Sequence, residues 1–273
     1  MEKQPKSGNL HVLIGSSGSV AAIKLPLIVK ELSQYERLEV QVVTTRAALH
    51  FFQPSQLVNA EGKPVKVWTD DQEWKVCDYR WLQTEGTLRK VQENNLADQV
   101  CVTVLVVLHL DRQSWSKISD PIVHIELRRW ADVIVVCPCS ANTLAKISNG
   151  LCDNLLSSSL LQMVGSHLNH IDTTQKGRHL DEDLQTSLIR ATNPKDTPVI
   201  IFPSMNTLMY DHPLTRKQLK TVVEEIGMEV NGPISKTLAC GDIGLGAMTE
   251  WKDIVDLIVT QFLTNPSKKP TAH

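Results

Sequence analysis

Short, almost unbroken apolar runs recur along this chain, each followed by small polar residues and then by apolar positions at helical spacing. His11-Val12-Leu13-Ile14-Gly15 is the first run and reads as a buried strand. Ser16-Ser17-Gly18-Ser19 follows as a tight loop, and residues 20–32 carry the spacing of one helix face, with Ser19 placed as its N-cap. Pro26 inside that stretch predicts a kink or a short first turn. Residues 38–44 predict the next strand, and 131–136 a continuous apolar strand ending at Cys137-Pro138. A helix is expected over 142–150, a further buried strand over 198–202, and a helix over 213–226 that stops at Gly227.

Strands that are apolar throughout are covered on both faces, and strand and helix alternate. The expected fold is therefore α/β, a doubly wound, mainly parallel sheet with helices on both faces. Ligands in such sheets sit outside the carboxyl ends of the strands, where the polar clusters of this chain also fall. Two stretches break the rhythm, residues 75–113 and 157–185. The first mixes polar residues with an apolar run at 101–108, and the second holds His167, His170 and His179 among polar residues. No carboxylate or thiolate stands at a spacing that would complete a metal site with His167 and His170, so surface insertion is the reading for both stretches, within one domain over 1–273.

Composition narrows the class. Of 273 residues, 42% are apolar and 21% charged, the profile of an ordinary globular protein. A net charge of -2 gives no electrostatic reason to expect nucleic acid or an anionic membrane as partner. The apolar run at 100–110 is too short to span a bilayer, and the N-terminal residues 1–8 lack the apolar centre of a signal peptide, which suggests the cytoplasm. Cys77, Cys101, Cys137, Cys139, Cys152 and Cys240 include one Cys-x-Cys pair and no Cys-x-x-Cys. Reduced thiols and no metal are expected.

Several segments carry candidate chemistry, each beside an ordinary structural explanation. The loop Gly15-Ser16-Ser17-Gly18-Ser19-Val20 offers hydroxyls, backbone amides and a helix start, either a phosphate cradle or a plain strand-to-helix turn. It is neither a dinucleotide fingerprint nor a Walker loop. Ser140-Ala141-Asn142-Thr143 is a helix cap, or a place where a planar ring or phosphate approaches closely. His124, in Pro121-Ile122-Val123-His124-Ile125-Glu126, is a core histidine or a general base. Asn206 after Met205 is a turn residue, or an amide that grips a carboxylate without adding charge. Cys240 lies in a loop with glycines at 241, 244 and 246, which would give backbone freedom to a flap carrying a thiol.

In this order, the segments are similar to those of the flavin-dependent cysteine decarboxylases. The resemblance is carried by Gly18-Ser19-Val20-Ala21-Ala22-Ile23-Lys24, Val42-Val43-Thr44-Thr45 and His124-Ile125-Glu126-Leu127-Arg128-Arg129-Trp130-Ala131-Asp132. Ser140-Ala141-Asn142-Thr143-Leu144, Gly150-Leu151-Cys152-Asp153-Asn154, Pro203-Ser204-Met205-Asn206 and Leu238-Ala239-Cys240-Gly241-Asp242 complete it. It covers most of the chain outside the two irregular stretches, which read as insertions relative to the family. Tyr210 stands where the family has Trp, and Thr237 where a basic residue is common, with Lys236 beside it.

The resemblance implies a flavodoxin-like homotrimer with FMN near subunit interfaces and 4'-phosphopantothenoylcysteine as substrate, decarboxylated to 4'-phosphopantetheine in coenzyme A biosynthesis. Ser17, Gly18, Ser19, Val20, Ala21, Thr44, Thr45, Ser140, Ala141, Asn142, Thr143 and Ser204 would surround the flavin. Met205, Asn206, Lys236 and Ala239 would hold the substrate, Asn206 by its carboxylate and Lys236 by its phosphate. His124 would assist oxidation of the thiol, and Cys240 would protonate the late intermediate. Fungal members of the family that regulate a Ser/Thr phosphatase offer a non-catalytic alternative. They carry long acidic extensions, whereas this chain ends in Lys268-Lys269-Pro270-Thr271-Ala272-His273.

Overall fold

The structure, a computed structural model, describes residues 8–73, 122–161, 197–237, 241 and 243–269. Its centre is a sheet of six parallel strands: β1 (Leu10–Ser16), β2 (Leu38–Thr44), β3 (Lys66–Trp68), β4 (Val133–Cys139), β5 (Val199–Pro203) and β6 (Glu229–Val230). Their order is β3-β2-β1-β4-β5-β6, so the chain winds outward in one direction from β1 and then in the other from β4. The crevice between β1 and β4 is the switch point where such sheets bind ligands. The expected doubly wound parallel sheet is present.

Pleating sends successive residues to opposite faces, and both faces are covered. Val12, Ile14, Val133, Val135, Ile200 and Phe202 pack against α1 (Leu25–Leu32) and a helix at Trp251–Phe262. Leu13, Ile134, Val136, Val199 and Ile201 point the other way. They meet helices at Val123–Trp130, Ala141–Ser148 and Leu155–Leu161. In chain order the helices after α1 are α2 (Asp70–Glu73), α3 (Val123–Trp130), α4 (Ala141–Ser148), α5 (Leu155–Leu161), α6 (Thr207–Asp211), α7 (Pro213–Lys220) and α8 (Trp251–Phe262).

Several elements differ from expectation. The helix expected from residue 20 opens as a 3-10 turn, Val20–Lys24, and becomes α-helical only at Leu25, with Pro26 in the first turn where its missing N–H costs nothing. Ser19 precedes that turn in an extended conformation and makes no side-chain cap; its hydroxyl is used elsewhere. The strand expected at 131–136 runs through Pro138 to Cys139, with a register shift against β5 between Val136 and Cys139. That shift turns Cys139 to the opposite face from Cys137. The boundary expected at 157 falls inside α5, where Ser157, Ser159 and Leu160 are buried. The apolar spacing of Leu155, Leu156 and Leu160 is that of a helix face, which the run of serines disguises. The remainder of that stretch, and all of 75–113, lie outside the described residues.

The glycine-rich region is not simply a loop. Ile234–Thr237 (β7) and Ile243–Ala247 (β8) pair as an antiparallel hairpin. Gly244 and Gly246 face the turn after β5, where a Cβ on Gly244 would strike the Thr207 hydroxyl and one on Gly246 the Met205 carbonyl. The Met205 amide donates to the Gly246 carbonyl at 3.0 Å. Gly244 and Gly246 permit close docking on that turn, whereas a Cβ on Gly241 would meet open space.

At the amino ends of the strands, both sides of the chain converge on the turn at residues 34–37. The amide of Leu10 donates to the Arg37 carbonyl, that of Glu36 to Ser267, and that of Lys269 to Gln34.

Candidate functional site

A cavity of about 580 Å³ opens at the carboxyl ends of β1, β4 and β5, within the usual range for a small-molecule site. Its polar side is assembled by a set of serines. The Ser17 hydroxyl donates to the Pro138 carbonyl at 2.9 Å and accepts from the Ser140 amide at 2.7 Å, tying the loop after β1 to the loop after β4. Ser19 and Ser204 share a hydrogen bond of 2.9 Å between their hydroxyls, tying in the end of β5. Ser140 caps α4 by accepting from the Thr143 amide. Ser140 also lines the cavity, so capping does not remove it from the wall.

Gly18, Ser19, Val20, Ala21, Ser140, Ala141, Asn142, Ser204, Met205, Asn206 and Lys236 all come together on the cavity wall. Ser17, Thr44, Thr45 and Thr143 do not line it. Ser17, Thr44 and Thr143 are buried beneath the wall, and Thr45 donates its amide to the Ser16 carbonyl. These four shape the loops from behind. Phe51, Met209 and Met248, absent from the sequence-derived set, complete an apolar wall with Met205 and Ala247.

Asn206 is the N-cap of α6, its side-chain oxygen accepting from the Leu208 amide at 2.8 Å. That bond directs the oxygen to the helix, and the NH2 is the donor end of the amide. Also on the wall, Glu250 accepts from the ammonium groups of Lys236 at 2.5 Å and Lys24 at 3.0 Å. These two bonds, that from Lys236 first, hold the Glu250 carboxyl below the usual carboxylate range. The result is a Lys24–Glu250–Lys236 cluster on the cavity wall, of which sequence reading supplied only Lys236. Lys24 and Glu250 are far apart along the chain and gave no local signal.

His124 does not line the cavity of the single chain. It lies on α3, with Nδ1 2.8 Å from Oε1 of Glu73 on α2. It is therefore not an isolated core histidine. Ala239 and Cys240 lie outside the described residues, in the stretch joining β7 to β8. Burial pushes the Cys137 and Cys139 thiols up to about 12, which makes both inert at neutral pH. Cys152 is also raised, by partial burial first and then by the charges of Asp153 and Glu73. Among the described residues no group of three or more His, Cys, Asp or Glu side chains could hold a metal, and no helix is long and apolar enough to cross a membrane.

Hydroxyls and helix-start amides on one side, and methionine, alanine and phenylalanine on the other, suit a flat ring carrying a phosphate. Comparison with known proteins bears on the same point. A family model described as Flavoprotein matches residues 1–171 and 178–263. Phosphopantothenoylcysteine decarboxylase of Mus musculus is 35% identical over 90% of this chain and 83% of that protein. The chain spans about a third of the length of the much longer relatives it also matches. Among solved structures, a cysteine-to-serine PPC decarboxylase complexed with pantothenoylaminoethenethiol is 32% identical, with a TM-score of 0.60 over 94% of this chain and 100% of that one. The FMN binding protein AtHal3 is 33% identical, with a TM-score of 0.57 over 92% and 96%. The chain belongs to the flavoprotein family, on its phosphopantothenoylcysteine decarboxylase branch.

Proposed function

We propose that this protein is an FMN-dependent carbon-carbon lyase that converts 4'-phosphopantothenoylcysteine to 4'-phosphopantetheine in coenzyme A biosynthesis, as a cytoplasmic homotrimer. The observation that carries this reading is the cavity itself, at the switch point, whose wall holds hydroxyls and helix-start amides together with Asn206, Lys24 and Lys236. When bound, FMN supplies the reversible two-electron oxidation that turns the cysteine thiol into a thiocarbonyl, an electron sink for the departing CO2.

The chain's own residues do the rest. Ser19, Ser204 and the backbone at residues 140–142 hold the cofactor phosphate and ring edge, supported by Ser17 from behind. Asn206 holds the substrate carboxylate through a neutral donor, which does not overstabilise a charge that must leave. Lys24 and Lys236 take the substrate phosphate. His124 accepts the thiol proton, and Cys240 returns a proton to carbon after CO2 has gone. Support for assembly comes from large apolar side chains left in solvent, Leu208 at 80% and Leu214 at 61% exposure. His124 outside the cavity of one chain fits a site completed by a second copy.

The test is direct. Purified protein should be yellow, release CO2 from 4'-phosphopantothenoylcysteine, and show a trimer mass by light scattering. A folded, colourless protein that cannot be reconstituted with FMN would overturn the reading.

A further inference from the structure

We propose that Glu73 is a positioning residue that sets which ring nitrogen of His124 carries the proton; this rests on the reading of His124 as the base for the substrate thiol. The two residues are 51 positions apart and meet only through packing of short elements. Nδ1 lies 2.8 Å from Oε1, and the side chains are 16% and 10% exposed. Water therefore does little to screen the pair, and its geometry is set by protein.

That geometry is held from several sides. The Trp68 indole at the end of β3 donates to Gln41 at 2.8 Å, fixing the strand that leads into α2. The Asp70 carboxylate at the start of α2 accepts the Leu155 amide at 2.9 Å, pinning α2 to α5. The Thr69 amide donates to Gln72 at 2.9 Å and closes the first turn. Glu73 thus reaches His124 from a braced framework and not from a free side chain at the surface.

A carboxylate accepts and cannot donate, so the neutral imidazole meets it best with a proton on Nδ1. The opposite tautomer would set lone pair against lone pair at 2.8 Å. With Nδ1 so engaged, the lone pair belongs to Nε2, to which no described residue makes a hydrogen bond. When the substrate S–H bond breaks, its proton forms the Nε2–H bond and the sulfur keeps the electron pair. The imidazolium that results faces the Glu73 carboxylate at the same contact, which stabilises the new charge. Glu73 acts only through His124.

The experiment uses the FMN-loaded full chain with 15N-labelled histidine. NMR reports the His124 tautomer without substrate, and single-turnover stopped flow reports flavin bleaching by substrate. Glu73→Gln preserves shape but offers an amide that can donate to Nδ1. It should raise the Nε2–H population and slow bleaching by about 100-fold or more, with FMN content unchanged. Glu73→Asp should recover part of both effects. An unchanged tautomer and rate in folded, FMN-bound Glu73→Gln would overturn the proposal. His124→Asn separates it from the reading beneath: bleaching at the native rate there removes His124 as base, while the NMR arm still decides whether Glu73 sets the tautomer.

Discussion

Asn206 caps a helix, and the proposed function gives the same amide a second job that can be separated from the first. Its oxygen caps α6 and its NH2 is assigned to the substrate carboxylate. Aspartate caps a helix as well as asparagine does, but presents a negative charge to the substrate. Asn206→Asp should therefore leave the melting temperature within a degree or two while weakening substrate binding at least tenfold, measured by calorimetry on the FMN-loaded protein. A matched loss of stability would show that the side chain serves the fold alone. Residues of this kind were legible because they sit directly after buried strands, where the path of the chain brings them to a common edge. Glu73, Lys24 and Glu250 were not, because their partners come from distant elements and no local pattern marks them. Thr44, Thr45 and Thr143 stand at the right strand and helix ends. Being near an end does not decide whether a side chain faces the cavity or the protein behind it.

Among the elements, the β7–β8 hairpin departs most from its sequence pattern. Glycines suggest mobility when only their number and spacing are considered, yet Gly246 sits against the Met205 carbonyl at a φ of 155°, a conformation strained for any side chain. Gly246→Ala should destabilise the protein by about 1–3 kcal/mol and lower FMN affinity, since the same contact places Met205 in the cavity wall. Denaturant titration and flavin fluorescence would measure both, and an unaltered midpoint would show that the turn after β5 gives way freely. The hairpin is also held by the Lys236–Glu250 bond. Glu250 is held below its unfolded-state range, so its contribution is complete above that range and lost as pH falls through the lower folded value. The melting-temperature gap between native protein and Glu250→Gln should thus be full at neutral pH and close under acid conditions. A pH-independent gap would rule out the ion pairs as its source. The pairs are partly solvated, so the gap is expected to be small.

For the whole molecule, the long excursion between residues 73 and 122 leaves and returns at nearly one place, since Glu73 bonds His124. Removing residues 76–112 leaves enough chain to close that distance. The shortened protein should fold, bind FMN and gain about 1 kcal/mol from the smaller loop-closure cost, read by thermal melts. Failure to fold would make the stretch an integral part of the domain.

The meeting of both chain ends on the 34–37 turn bears on how this domain can be joined to others. Gly8 accepts a bond from the Arg37 guanidinium, and Lys269 donates its amide to Gln34, so the two points of attachment share one corner on the floor of the sheet. The cavity opens at the roof. A neighbouring domain fused at either side would lie beneath the sheet and leave the cavity entrance clear. Extra sequence joined at that corner would sit on the far side of the sheet from the cavity lining.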